Sequence, residues 1–251
     1  PKKGLQELMK IPKEDLDEYL KSVVGLIDLI LKSGVNINSL GINHSTLLGN
    51  YTPGKSDIDI VIFGKDNGWK VIKHMANVKH PSLRWKTEED WMKYFTERVV
   101  SKVYSKEEYV FNMVRKKDDG FFNNNVFSLF CVEEPNEFWY NWGDKHEPLS
   151  TIKLTAKITN NYNSIVRPGY YEIEDSKIIE GYKEVPVKRI TTWSRPFVLQ
   201  ANNDETVEAY GLLEKVTPVS GESYYQLVIG YMDSYITDRG EKEYLKVIKR
   251  Q

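Results

Sequence analysis

The sequence predicts an α+β protein in two parts, a mixed half of helices and strands over residues 1–146 and a β-rich half over residues 147–251. Apolar residues recur at helical spacing in several stretches of the first half. Short alternating stretches, separated by turn residues, fill the second half. We therefore expect a mixed sheet with helices, followed by a small all-β barrel or sandwich, for which an OB-like barrel is one form.

In the first half, apolar spacing predicts a long helix that has Pro12 in its first turn and ends at Gly34. A short strand over Leu40–Ile42 and a helical turn at 45–49 follow. β-branched residues then predict a strand over 57–64. Asp119-Gly120 is expected to end the last helix of this half. The other predicted elements are helices over 66–78, from Thr87 and from Ser105, and a buried strand over Val126–Val132.

The second half contains no long helical pattern and no fixed internal repeat. Its predicted strands are Thr151–Ile158, Gly169–Ile173, Val185–Ile190, Thr206–Val216 and Ser223–Ile229.

Composition excludes some classes of function. The 251 residues include 35 basic and 36 acidic side chains, a net charge of −1, which excludes a protein that binds polyanions by bulk attraction but not one with a local basic patch. The single cysteine, Cys131, cannot form an internal disulfide, so we expect a reducing, cytoplasmic location. Apolar stretches fall short of the roughly 20 residues of a membrane helix, so no membrane partner is expected. The oligomeric state stays open.

The strongest chemical signal is a pair of carboxylates on one predicted strand. Asp57 and Asp59 are two residues apart, a spacing that places both side chains on one face while Ile58 and Ile60 point to the core. A divalent cation would relieve their repulsion, and Mg²⁺ prefers carboxylates together with phosphate oxygens. The pair suits phosphoryl or nucleotidyl transfer. An Asp-x-Asp pair at a strand end is also common as a solvated edge.

Ser45 lies twelve positions before Asp57, after a predicted strand and at the start of a short helix. A hydroxyl and free N–H groups at such a position can bind phosphate. The commoner role of such a serine is a helix N-cap, and the two roles are compatible.

These residues resemble a known signature. The stretch from Gly41 to Gly49, Gly-Ile-Asn-His-Ser-Thr-Leu-Leu-Gly, precedes Ser-Asp-Ile-Asp in an apolar strand. This order is similar to that of the DNA polymerase β-like nucleotidyltransferase superfamily, and more narrowly to archaeal predicted nucleotidyltransferases. The matching positions are Ser45, Gly49, Ser56, Asp57, Asp59 and Gly64.

The resemblance implies a polymerase β-like fold and Mg²⁺-dependent transfer of a nucleotidyl group from a nucleoside triphosphate to an acceptor hydroxyl. Asp57 and Asp59 would hold two Mg²⁺ ions, with Mn²⁺ as an alternative, and would be the catalytic residues. Nucleotide binding would fall to His44, Ser45 and Ser56. Such relatives often carry more sequence ahead of this region, and the chain starts at Pro1, so the sequence leaves open whether it is a fragment.

Two positions depart from the signature. His44 stands where a glycine precedes the serine, and it would either crowd or contact the phosphates. The third carboxylate of active members comes from a later strand, but Val126–Val132 contains no acid and has Ser128 in its middle. The candidates for this third carboxylate lie before and after that strand, namely Asp118, Asp119, Glu133 and Glu134.

Other motifs are weaker. The histidines have no metal-ligand spacing, and Cys131 is expected to be inert core. An aromatic run that includes Phe138, Trp139, Tyr140 and Trp142 could stack bases, although packing is the commoner role. Basic residues mixed with an aromatic give a modest hint of nucleic-acid binding, or form a solvated strand face: Lys183, Lys188, Arg189, Trp193 and Arg195.

The leading hypothesis is therefore a Mg²⁺-dependent nucleotidyltransferase whose acceptor is open, with nucleic acid, protein and small molecules all as candidates. The alternative is a protein that binds nucleotide or nucleic acid without turnover, because the third carboxylate is missing. A third interpretation is a structural module in which the aspartate pair is incidental.

Overall fold

The structure is a computed structural model that describes residues 1–99, 102–230 and 239–249. Its combination of helices and mixed sheets confirms the predicted α+β class. The helices are α1 (Lys2–Leu8), α2 (Glu18–Leu31), α3 (His44–Leu48), α4 (Lys65–Asn77), α5 (Glu88–Arg98), α6 (Lys106–Lys116) and α7 (Arg239–Lys242). The strands are β1 (Leu40–Ile42), β2 (Ile58–Phe63), β3 (Leu83–Trp85), β4 (Asp119–Phe122), β5 (Asn125–Val132), β6 (Lys145–Asn160), β7 (Gly169–Glu180), β8 (Val187–Thr192), β9 (Thr206–Thr217), β10 (Tyr224–Ile229) and β11 (Tyr244–Lys249).

The chain forms two compact units. The first unit contains Pro1–Thr87 and Lys116–Glu137, and the second contains Glu88–Arg115 and Phe138–Gln251. This division differs from the predicted one at residue 146, because the main segment of the second unit begins at Phe138 and because this unit also includes α5 and most of α6.

The first unit is built on one sheet with strand order β1–β2–β5–β4–β3. The central pair, β2 and β5, is parallel, and the other neighbours are antiparallel. Ile58, Ile60 and Ile62 are buried on one face of β2, in a core shared with apolar residues of α2. Successive side chains of a strand alternate between the faces, so Asp59 is on the opposite face from these isoleucines.

The start of α2 lies later than predicted. Asp17 is its N-cap, and the carboxylate of Asp17 accepts a hydrogen bond from the Leu20 N–H at 2.8 Å. Pro12 instead precedes a separate 3₁₀ turn, Lys13–Asp15. A capping carboxylate satisfies a free N–H of the first turn, and a proline side chain cannot do this, so the aspartate sets the boundary.

The prediction that Asp119-Gly120 ends a helix is wrong, because these residues begin β4. β4 and β5 form a hairpin connected by Asn123 and Asn124, which both have positive φ angles, 47° and 65°. Two consecutive residues with positive φ match the twist of the flanking strands, and asparagine tolerates this conformation better than most residues. The short elements α1 and β3 were also not predicted.

The second unit contains a closed ring of strands in the order β6–β7–β8–β10–β9, with β9 pairing back to β6. β8 and β10 are parallel, and β11 extends the sheet beside the first half of β9. Fully buried side chains fill the interior, among them Ile152, Leu154, Tyr171, Ile190, Leu213 and Leu227. The β-rich half is therefore a barrel, one of the two forms that the sequence leaves open.

The segment that contains α5 and α6 belongs to the second unit because it is bonded to β11. The Tyr104 hydroxyl donates to the Leu245 carbonyl at 2.5 Å. Lys246 Nζ donates to the Val103 carbonyl at 2.6 Å and pairs with Glu108 at 2.9 Å. The prediction contained no strand at β11, so it gave α5 and α6 no partner there. Among the described residues, no helix has the length and apolar character needed to cross a membrane.

Candidate functional site

The aspartate pair lies at the start of β2. Ile58 and Ile60 are fully buried, as the alternation predicts, and Asp59 lies between them in sequence with only 15% of its side chain exposed. Asp57 directly precedes the strand and is exposed. The carboxylate of Asp59 is therefore held within the sheet, and that of Asp57 lies in solvent just before the strand begins.

His44 contacts one member of this pair, Asp59. Its Nδ1 lies 3.1 Å from Asp59 Oδ2, and 63% of its side chain is exposed. His44 also has a φ of +47°, in the left-handed region that favours glycine. This conformation gives a physical reason for the glycine that the resembling signature has at this position. Here the histidine keeps the conformation, and its ring lies against an aspartate.

A buried tyrosine connects the two parts of the motif. The Tyr19 hydroxyl donates to the Asp57 carbonyl at 2.9 Å and lies 2.7 Å from Thr46 Oγ1 in α3. A phenol has one proton, so when Tyr19 donates to Asp57 it accepts from Thr46. Burial, followed by the charges of Asp59 and Asp57, raises the pKa of Tyr19. The neutral phenol thereby fixes the distance between α3 and the start of β2.

Ser45 and Ser56 have different surroundings. Ser45 is half-buried in α3, next to Thr46, and its carbonyl accepts the Asn50 N–H at 3.1 Å. The Ser56 hydroxyl accepts the Thr52 N–H at 2.8 Å. Ser56 therefore closes the loop between α3 and β2. Of the two serines, Ser45 is the one that lies in the helix beside the aspartates.

The position next to Asp59 on the neighbouring strand is Ser128. Asp59 pairs with Ser128 in the parallel register of β2 and β5, and Ser128 pairs with Asp119 in the hairpin. Paired residues point to the same face, so Asp59, Ser128 and Asp119 form a row across three strands. The Ser128 hydroxyl lies 3.3 Å from Asp119 Oδ2, to which it donates. With strands about 4.8 Å apart, Asp119 is about 10 Å from Asp59 along this row.

Two candidates for the third carboxylate, Glu133 and Glu134, lie away from this row. Glu133 comes five residues after Ser128, which is about 16 Å along a strand at about 3.3 Å per residue. Glu133 forms a buried pair with Lys65 at 3.2 Å, and burial raises its pKa. Glu134 pairs with Lys2 at 2.8 Å. Both glutamates therefore belong to the opposite end of β2, near Gly64.

Asp118 and Asp119 each lie close to a lysine. Asp118 is buried with Lys116, at 3.8 Å, and precedes β4. Asp119 forms a 2.6 Å ion pair with Lys86, and about a tenth of each side chain is exposed. Of the four candidates, Asp119 is the one on the row of Asp59, with Ser128 between them. Within the described residues, no group of three or more His, Cys, Asp or Glu side chains is arranged to hold a metal ion.

Cys131 is a partly buried thiol with the properties of an unreactive one. Burial, together with the nearby carboxylates of Glu137 and Glu133, raises its pKa to about 12. Its Sγ lies 3.5 Å from the Gly64 carbonyl. A thiol with this pKa stays protonated at neutral pH and is a poor nucleophile.

The sequence reasoning missed Tyr19 and Thr46. Tyr19 lies on the buried face of α2, where an aromatic side chain predicts core packing, and Thr46 lies within the short α3. The available signal was the hydroxyl of Tyr19 on an otherwise apolar face, since a buried phenol requires a hydrogen-bond partner.

No family model matches the chain, and no solved structure matches it. The chain is 30% identical over 222 residues to the uncharacterized protein MJ1086 of Methanocaldococcus jannaschii. The matched region covers 87% of this chain and 62% of that relative, so the chain spans about three-fifths of the relative's length.

Proposed function

We propose that this protein is a Mg²⁺-dependent nucleotidyltransferase that uses a nucleoside triphosphate. The observation that carries the proposal is the shared location of Asp57, Asp59 and α3, which Tyr19 ties together through Thr46 and the Asp57 carbonyl. One polyphosphate would then contact both carboxylates, through Mg²⁺, and the serine hydroxyl of α3. The polymerase β-like fold that the motif implies is part of this proposal.

The donor set fits Mg²⁺. Asp57 and Asp59 offer carboxylate oxygens, and Mg²⁺ prefers one or two carboxylates together with phosphate oxygens and water. When bound, Mg²⁺ would neutralise charge that develops on the phosphates. The exposed carboxylate of Asp57 can bind without a large desolvation cost, and Asp59 is oriented by the sheet and by His44.

The chain's own residues would position the nucleotide. Ser45 would donate its hydroxyl to a phosphate oxygen, and His44 would contact the same group from the start of α3. In the reaction, the acceptor hydroxyl would give its proton to water and its oxygen would bond to the α-phosphorus, while the bond from that phosphorus to its bridging oxygen breaks and pyrophosphate leaves. The acceptor is a hydroxyl group on a nucleic acid, a protein or a small molecule, and the transfer test below distinguishes these three classes.

The first test is equilibrium binding of a fluorescent ATP analogue with and without Mg²⁺. We expect Asp57→Asn and Asp59→Asn to weaken the Mg²⁺-dependent binding by at least about tenfold. Asp28→Asn is the matched control, since Asp28 is a partly exposed aspartate of the same unit that pairs only with Lys13 at 3.3 Å among the described residues. This control should bind like the unmodified chain.

The second test measures transfer. The chain is incubated with Mg²⁺, triphosphates labelled at the α-phosphate, and separate pools of RNA, protein and small hydroxyl compounds. Label that appears on one pool and disappears in Asp57→Asn supports the proposal. The proposal fails if no pool is labelled and if both aspartate variants bind the analogue as the unmodified chain does.

Ser128 favours a second candidate function, nucleotide binding without turnover. It occupies the position beside Asp59 where a third carboxylate would accept the proton of the attacking hydroxyl. Under this alternative, Mg²⁺-dependent binding still needs Asp57, but no pool of acceptors becomes labelled.

A further inference from the structure

The second unit has an exposed row of aromatic rings just before its barrel. Phe138, Tyr140 and Trp142 alternate in segment 138–142, and each ring contacts the next, with centroids 5.7 Å and 5.4 Å apart. Trp142 is 86% exposed and Phe138 is 53% exposed. Packing within the unit does not explain Trp142, because nearly all of its surface remains in contact with water.

A guanidinium lines the same cavity as this row. The Arg189 side chain of β8 lies 4.5 Å from the ring centre of Trp139, 4.9 Å from Tyr170 and 4.6 Å from Tyr224. Its Nε donates to Gln226 Oε1 at 2.9 Å, and its Nη2 donates to the Tyr224 hydroxyl. These hydrogen-bond partners are neutral, and no described carboxylate forms an ion pair with Arg189. Burial lowers its pKa, and the negative charge of Asp144, in the same cavity, opposes this effect. A largely desolvated cation whose hydrogen-bond partners are neutral favours an anionic ligand.

The aromatic row, Trp139, Arg189 and Tyr224 line one cavity of about 510 Å³, together with Asn141, Asp144, Pro218 and Ser220. Its volume lies within the range of small-ligand sites. Asp144 supports the rim, since its Oδ1 accepts the Val219 N–H at 3.0 Å and holds the turn that contains Pro218 and Ser220. The cavity therefore combines one guanidinium with aromatic faces and a fixed polar rim.

We propose that this cavity and the aromatic row bind single-stranded nucleic acid. Bases would stack on Phe138, Tyr140 and Trp142, and a backbone phosphate would accept hydrogen bonds from Arg189. The ring faces favour unpaired bases, because the bases of a duplex are already stacked on one another. The length of the row favours an oligonucleotide over a mononucleotide, since three contacting rings offer more stacking surface than one base covers. This site is independent of the aspartate pair.

The test is fluorescence anisotropy of a labelled oligouridine of about 12 nucleotides with the full 251-residue chain. EDTA in the buffer removes any contribution of a Mg²⁺ site. We expect Trp142→Ala and Phe138→Ala each to weaken binding by about tenfold, the loss typical of one stacked base. Tyr182→Ala is the matched control, an exposed tyrosine (37%) of the same unit outside the cavity, and it should change the Kd less than about twofold.

Arg189→Gln should weaken binding and reduce the slope of log Kd against log salt by about 1, as expected for one lost phosphate contact. Trp142 and Phe138 are exposed, so their variants keep the test valid even if the Arg189 variant fails to fold. Any of four results overturns the proposal: no binding of the oligonucleotide, equal or tighter binding of a duplex, competition by uridine monophosphate at the concentration at which the oligomer competes, or unchanged binding in both aromatic variants. Absence of oligonucleotide binding would leave the row as a surface for a protein partner.

Discussion

Ser128 lies beside Asp59 in the parallel register of β5 and β2, and its hydroxyl donates to Asp119 on the next strand. The row thus has a carboxylate at each end and a hydroxyl between them. This arrangement separates metal binding, which the aspartate pair could support, from proton transfer, which needs a base next to the pair.

Ser128→Asp should create the missing carboxylate. Without metal, repulsion from Asp59 and Asp119 should lower the melting temperature, and Mg²⁺ should raise it by about 2–4 °C more than in the unmodified chain, a shift that corresponds to about 1 kcal/mol. Thermal denaturation with and without Mg²⁺ measures both effects. Ser128→Asn is the control of equal shape without charge. An equal Mg²⁺ shift in the asparagine variant would contradict the prediction.

Backbone strain at His44 is tested by comparing two variants that both lack the imidazole. His44→Gly should be more stable than His44→Ala by about 1 kcal/mol, because glycine alone adopts the positive φ of this residue without a steric cost. Urea denaturation gives the difference. At Leu48, an exposed residue of the same helix, the order should reverse, with alanine more stable than glycine by about 1 kcal/mol. The same order at both sites would argue against strain at His44.

Tyr19→Phe should remove the connection between α3 and Asp57. We expect a loss of about 1–3 kcal/mol in the free energy of unfolding, because Thr46 and the Asp57 carbonyl lose a buried partner. Binding of the ATP analogue should weaken as well. Tyr51 stacks on Tyr19 at 4.5 Å but donates to the exposed Asp17, so Tyr51→Phe should cost less than about 1 kcal/mol. Unchanged nucleotide binding in a folded Tyr19→Phe would remove Tyr19 from the site.

Cys131 should react slowly with iodoacetamide in the native state. Its pKa of about 12 leaves about a thousandth or less of the thiol ionised at pH 8.5, where a free cysteine with a pKa near 9 is about a quarter ionised. The urea-unfolded chain should therefore be alkylated at least about a hundredfold faster, and mass spectrometry follows this one cysteine. Comparable rates in the two states would show that the thiol is accessible and ionised.

The raised pKa of Cys131 also makes the free energy of unfolding depend on pH. A thiol pKa that is raised in the folded state stabilises the fold below the unfolded value near 9, and this contribution is lost as pH rises from about 9 to about 12. Cys131→Ala should remove this part of the alkaline destabilisation, which urea denaturation across this range would detect.

The sequence by itself determined the features that depend on local periodicity. Alternation in β2 correctly placed Ile58 and Ile60 in the core and turned Asp59 away from them. The helix predicted over 66–78 is α4, displaced by one residue. These features are predictable because a strand of period two or a helix of period 3.6 fixes which side chains share a face, whatever the partner elements are.

Only the tertiary structure decided what lies beside those residues. Ser128 is 69 positions from Asp59 in sequence, and sheet register brings them together. Tyr19 reaches Asp57 through packing of α2 on β2, and β11 binds Tyr104 into the second unit. Register and docking depend on the whole hydrophobic core, so local patterns contain little information about them. The sequence thus determined which face of the strand Asp59 occupies, and the fold decided that a serine lies next to it.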